Sequence, residues 1–185
     1  MLFEVCTTIS GDLKLSSLNV RGLGEVSKRK EIFNWLRKKN FSTYILQEVH
    51  CTKNNIHLWT AEWGYKALSS CCSSNKAGTC ILFNNNFDLQ INKTCSDPNG
   101  RFIICDINTN GTSFTLCNLY APSEDRPEFF RDISNYLQDF QCDEIIIGGD
   151  FNLVMDIKKD KRGGALARIK TPSKRLEEFA RRGTS

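Results

Sequence analysis

Apolar positions along this chain come in short runs cut by Gly, Asn and Pro, and their spacing switches between two periods. Lys14 to Val20 predicts a strand, followed by a turn at Gly22 and Gly24. Ser27 is placed to cap a helix over Lys28 to Lys39, where Ile32, Phe33 and Leu36 share one face. The opposite face carries Lys28, Arg29, Lys30, Arg37, Lys38 and Lys39, and reads as a solvated surface. A strand is expected at Thr43 to Leu46 and a polar helix from about Asn55 to Trp63. From Tyr65 to Tyr120 the pattern turns β-rich, with runs at Thr79 to Phe83, Phe87 to Ile91, Phe102 to Ile107 and Phe114 to Leu119. Asn110-Gly111 marks a hairpin between the last two. A helix over Arg126 to Phe140 and a buried strand at Glu144 to Ile147 follow. After Asp156 the pattern dissolves into a loop, with a helix starting near Ser173. Strands and helices in this order predict a mixed α/β domain of stacked layers.

Composition narrows the class. The 185 residues are 40% hydrophobic and 25% charged, an ordinary globular mixture for one domain. No apolar run approaches the roughly 20 residues of a membrane span. The net charge of +4 is uneven: the last 30 residues hold 10 basic and 4 acidic groups, while the preceding 155 hold 15 and 17. A basic tail can track phosphates or simply remain solvated. The nine cysteines form no CxxC pair and only two histidines are present, so zinc has no support. Cys105 and Cys117 lie in apolar runs, where a free thiol packs as a small hydrophobe. The opening MLFEVCTTISG lacks a basic start and a sustained apolar stretch, so it does not read as a secretory signal. A reducing, intracellular setting, nuclear or cytoplasmic, is expected.

Four apolar strands each end in a polar group that a core does not need. The first delivers Asn19, the second Gln47 and Glu48, the third Tyr120 before Ala121-Pro122. The fourth runs through Gly148-Gly149 into Asp150, Phe151 and Asn152. Polar residues at neighbouring strand ends can converge where loops are free to bind a ligand. Taken singly, each reads more readily as a turn residue or a surface charge than as a site. Two glycines before a strand-end acid imply an enforced backbone geometry.

In order, LNVRGL with Asn19, LQEVH with Glu48, NLYAP with Tyr120 and GGDFN with Asp150 and Asn152 resemble the exonuclease–endonuclease–phosphatase superfamily. The wording NVRGL, QEVH and NLYAPSED is most similar to the apurinic-type endonuclease domain of non-LTR (LINE-type) retrotransposons. The resemblance spans about Leu13 to Gly164, with residues 1–12 as an extension and 165–185 as a basic tail carrying a truncated helix. It implies a four-layer α/β sandwich of two packed, mostly antiparallel sheets flanked by helices. It also implies a phosphodiesterase using Mg²⁺, with Mn²⁺ as a substitute, and DNA as its partner. Glu48 would be the metal ligand, with Asn19 beside it as a metal-site or hydrogen-bonding partner. Tyr120 would hydrogen-bond the scissile phosphate, Asp150 would orient or activate the attacking water, and Asn152 would donate to a phosphate oxygen. Asn118, two residues before Tyr120, would support this shell.

The sequence departs from that family in one respect. The family closes its site with a Ser-Arg-Ile-Asp-like strand and a terminal Asp-His pair, and neither occurs here. The two histidines, His50 and His57, are not preceded by Asp; His50 reads as a loop residue behind the site and His57 as surface. The chain therefore reads as a C-terminally truncated copy that lacks its last strands, with weak or no activity as it stands. Two alternatives remain: a non-catalytic remnant that binds nucleic acid through the basic tail, and a phosphomonoesterase built on the same motifs. Nothing in the sequence points to a protein partner, an oligomer or a membrane.

Overall fold

A computed structural model describes residues 5–8, 13–72, 76–85, 88–109, 111–124 and 126–152. The described residues form two compact units. The first holds those up to Tyr120 together with Phe140–Asp150, and the second holds Ala121–Asp139 with Phe151 and Asn152.

The first unit contains two mixed sheets. One is built from β1 (Val5–Thr8), β2 (Lys14–Asn19), β3 (Thr43–Gln47), β4 (Ala67–Ser70) and β5 (Thr79–Phe83), in the order β1-β2-β3-β5-β4. The other follows chain order through β6 (Gln90–Ser96), β7 (Phe102–Thr109), β8 (Thr112–Tyr120) and β9 (Glu144–Asp150). Pairing is antiparallel except at β2–β3 and β8–β9, which run parallel. Strand β1 lies inside the segment expected as an extension and pairs along β2 from Val5↔Ser17 to Thr8↔Lys14. The hairpin expected at Asn110-Gly111 is closed by the Thr109↔Thr112 pair.

Strand β3 shows why the pattern reads as it does. All five of its residues are buried, because alternate side chains point to two different cores. Ile45 joins Leu15, Ile81, Ile103, Cys105, Ile107, Phe114 and Leu116 between the sheets. Tyr44 and Leu46 join Phe33, Leu36, Trp59 and Trp63 beneath α1 (Val26–Lys39) and α2 (Ile56–Trp63).

The helices differ from expectation in detail. Ser27 does not cap α1: the N-cap is Glu25, and the Ser27 hydroxyl bonds that residue's carboxylate. The basic face is only partly solvated. Arg29 is 7% exposed, pairs with Glu62 at 2.5 Å and lies over the Trp59 ring. Arg37 donates to the carbonyls of Glu62 and Trp63, and Lys28 to those of Val20 and Arg21. Two helices packed over one core recruit these long side chains as packing material, which a helical period alone does not reveal. Strand β9, expected to be buried, is half-exposed, because β8 is its one neighbour among the described strands.

The second unit contributes α3 (Pro127–Leu137), which starts with Pro at its first turn and buries Phe130, Ile133 and Leu137. The Phe130 and Phe151 rings stack there at 6.4 Å. The helix expected near Ser173 and the basic tail lie outside the described residues. No described helix is long and apolar enough to cross a membrane.

Candidate active site

The two parallel pairs explain the convergence of the strand-end residues. Parallel neighbours finish on the same side, so Asn19 lies opposite Gln47 at the ends of β2 and β3, and Tyr120 lies opposite Asp150 at the ends of β8 and β9. The Asn19 amide donates to Glu48 Oε1 at 2.9 Å and to Asp150 Oδ2 at 2.7 Å. The Tyr120 hydroxyl donates to the same Glu48 Oε1 at 3.1 Å. Asn19 and Asp150, 131 positions apart, are thus joined directly. All four side chains are half-buried.

Glu48 sits on a strained turn. It and His50 both adopt left-handed backbone, at φ 52° and 58°. Two loops grip the turn from either side. Gly22 N donates to Glu48 O at 2.6 Å and Leu23 N to Val49 O at 3.0 Å. Val49 N donates to Gly78 O at 3.0 Å and His50 N to Ala77 O at 2.9 Å. The His50 ring packs so closely on Gly22 that a Cβ there would lie 2.8 Å from Nδ1. Cys51, just beyond, is joined to Cys71 in a disulfide with Cα atoms 5.2 Å apart, which departs from the expectation of reduced thiols. On the opposite wall, Gly149 holds φ 139°, and a Cβ would collide with the Leu119 carbonyl. The glycine expected to enforce a geometry does so, and delivers Asp150.

Sequence reading missed Arg101. Its guanidinium lies 4.9 Å from the centre of the Tyr120 ring, and its carbonyl accepts from Tyr120 N at 2.7 Å. The turn that carries it is tied by Asp97, whose carboxylate accepts from Arg101 N at 3.1 Å. The signal available was the Asn99-Gly100-Arg101 turn just ahead of β7. Burial, then the negative charge and hydrogen bond of Glu48, push the Tyr120 hydroxyl above its ordinary value of 10.0, while Arg101 works in the opposite direction. Tyr120 is therefore a protonated donor at neutral pH.

Other expected residues sit elsewhere. Asn118 is fully buried and spends its amide on the Leu46 and Cys80 carbonyls, at 3.0 and 2.9 Å, so it braces the sheets beneath the site. Asn152 belongs to the second unit, where its amide donates to Ala121 O at 2.7 Å. His57 is exposed on α2. No group of three or more His, Cys, Asp and Glu side chains stands ready for a metal among the described residues. The site instead offers two carboxylates with amide and phenol partners.

Residues 16–163 match the model of the Endonuclease/Exonuclease/phosphatase family. The chain belongs to this family. Its members are hydrolases acting on phosphoester bonds. A Xenopus laevis protein described as "Transposon TX1 uncharacterized 149 kDa protein" is 30% identical over 149 residues, covering 79% of this chain and 11% of that protein. The chain thus spans about a tenth of that relative's length. An AP endonuclease from Leishmania major superposes with TM-score 0.69 at 14% identity, covering 92% of this chain and 66% of that one. The endonuclease domain of TRAS1, a telomere-specific non-LTR retrotransposon, gives 0.53 at 16%, covering 77% and 60%. Danio rerio TDP2 complexed with a single-strand DNA product gives 0.59 at 17%, covering 79% and 62%. The family expected from the motifs is therefore the family found, and the retrotransposon wording has its counterpart in the Xenopus transposon.

Proposed function

We propose that this family member is a metal-dependent DNA endonuclease domain of a retrotransposon-type protein, acting inside the cell in the nucleus or cytoplasm. One observation carries the reading: a single amide holds Glu48 and Asp150 together, with Tyr120 on the same Glu48 oxygen. Two carboxylates sharing one neutral donor repel each other, and a hard divalent cation, Mg²⁺ or Mn²⁺, suits such oxygen ligands and relieves that repulsion. Glu48 would hold the ion. When bound, it supplies charge neutralisation on the phosphoryl oxygens. Asn19 Oδ1 already accepts from Arg21 N at 3.1 Å, so the part of Asn19 is to orient both acids. Asp150 accepts the proton of an attacking water, and Tyr120 donates its O–H to the phosphate. Arg101 adds a permanent cation next to Tyr120.

Turnover by these 185 residues is expected to be slow. His57 is exposed and His50 is pressed onto Gly22, so neither serves as a general acid or base for the leaving oxygen. Loss of one member of a concerted set costs orders of magnitude. The test is nicking of supercoiled plasmid with Mg²⁺, with EDTA, and with Glu48→Gln and Asp150→Ala. Slow relaxation abolished by EDTA and by both substitutions is expected. Nicking that survives Asp150→Ala sinks the reading, and fast nicking abolished by it overturns the expectation of slow turnover.

A further inference from the structure

The two sheets of the first unit meet mainly through apolar side chains, except directly beneath the site. There Gln47, 1% exposed on β3, faces Asn118, 0% exposed on β8. Gln47 Nε2 donates to Asn118 Oδ1 at 2.8 Å, and also reaches the Ile45 carbonyl at 3.1 Å and Ser17 Oγ at 3.3 Å. Asn118 Nδ2 returns two bonds across the gap, to Leu46 O at 3.0 Å and Cys80 O at 2.9 Å. The residue opposite Asn118 on β9 is Gly148, where a Cβ would meet Ile45 Cδ1 at 2.5 Å, so the strands approach closely at this level.

The position of this bridge matters more than its presence. Gln47 immediately precedes Glu48, and Asn118 lies two residues before Tyr120. Gly148 lies two residues before Asp150. Apolar contact is non-directional and tolerates sliding of one sheet over the other. Amide hydrogen bonds are directional, and a buried amide that slips out of register leaves donors and acceptors unpaired. We propose that the Gln47–Asn118 pair is a positioning device that sets the separation of Glu48 on one sheet from Tyr120 and Asp150 on the other. The device rests on the reading of those residues as a metal and phosphate site. Gln47 and Asn118 touch no reacting atom and act through the residues that follow them.

The experiment compares the whole chain with Gln47→Met, which keeps the side-chain length and removes the amide. Ile107→Val, a trimmed residue in the same inter-sheet core, controls for lost stability. Terbium luminescence excited through Tyr120, with Tyr120→Phe as the blank, reports cation binding without requiring cleavage. Gln47→Met is expected to melt cooperatively, to bind terbium about 10-fold more weakly, and to nick plasmid with kcat down about 10-fold or more at unchanged KM. Ile107→Val should shift the melt and leave both readouts alone. Should Gln47→Met not fold, Gln47→Asn, which keeps the amide and shortens its reach, takes its place with the same expectation. Unchanged terbium binding and kcat in a folded variant overturn the device. A wild type with no Tyr120-dependent terbium signal overturns the metal reading instead. The device is then decided by amide exchange at Val49 and Tyr120, which must quicken in Gln47→Met relative to Ile107→Val and refutes it otherwise.

Discussion

Glu48 shows how much a single site residue asks of its surroundings. A left-handed conformation costs a non-glycine residue about 1 kcal/mol or more, and His50 two positions later bears the same cost. Four main-chain hydrogen bonds from two loops offset it. Gly149 solves the corresponding problem on the opposite wall by having no Cβ. Gly149→Ala should destabilise the fold by about 2–4 kcal/mol, because φ 139° and the Leu119 carbonyl both forbid the methyl group. Urea titration measures this, and a loss under about 1 kcal/mol would mean that the strand shifts to make room. Tyr120→Phe probes the opposite kind of residue. It removes one half-buried hydrogen bond, worth about 1 kcal/mol of stability, yet kcat for nicking should fall about 100-fold. A folded Tyr120→Phe variant with wild-type kcat would remove the hydroxyl from the reaction.

At the scale of elements, α1 was legible as a helix because its apolar residues repeat at helical spacing, and Phe33 and Leu36 are buried as that spacing requires. Its basic face was not, since a charge pattern does not say whether a neighbouring helix will use it. Arg29 holds the Leu23 carbonyl as well as Glu62 and Trp59, whereas Glu62 remains partly open to solvent. Arg29→Ala should therefore cost about 2–3 kcal/mol and Glu62→Ala about 1 kcal/mol. Equal losses in denaturant titration would show that the pair acts only as an ion pair. The exposure of β9 has a similar origin: a run of three isoleucines reads as a buried strand, but burial depends on neighbours that the run does not specify.

Across the whole molecule, sheet packing sets the chemistry of the thiols. Burial pushes the Cys80 thiol up to about 12 from an ordinary 9.0, and burial followed by the charge of Asp106 does the same to Cys105. Cys117 is raised as well, by burial first. The native state keeps these thiols neutral, so the stability they lend is intact below the unfolded value and is lost as pH climbs through the folded one. The slope is about 1.4 kcal/mol per pH unit for each thiol. Urea midpoints should fall steadily once the pH exceeds about 9, and less steeply after Cys80→Ala. Iodoacetamide applied to the native protein near neutral pH should spare Cys80, Cys105 and Cys117 while labelling the half-buried Cys142. Labelling of the three buried thiols at the same rate would contradict the packing.

By itself the sequence determined most of the elements and the polar residues at their ends, because strand and helix periods, turn glycines and proline positions are local properties; β1 escaped it, since its strand character shows only in pairing with β2. It also carried the order of motifs that marks the family. Only the tertiary structure decided how those ends are joined: one amide of Asn19 shared by Glu48 and Asp150, Arg101 laid on Tyr120, and Gln47 locked to Asn118. Each of these depends on which strands lie parallel and on how one sheet rests on the other. Such pairings join residues up to 131 positions apart, beyond the reach of any local pattern.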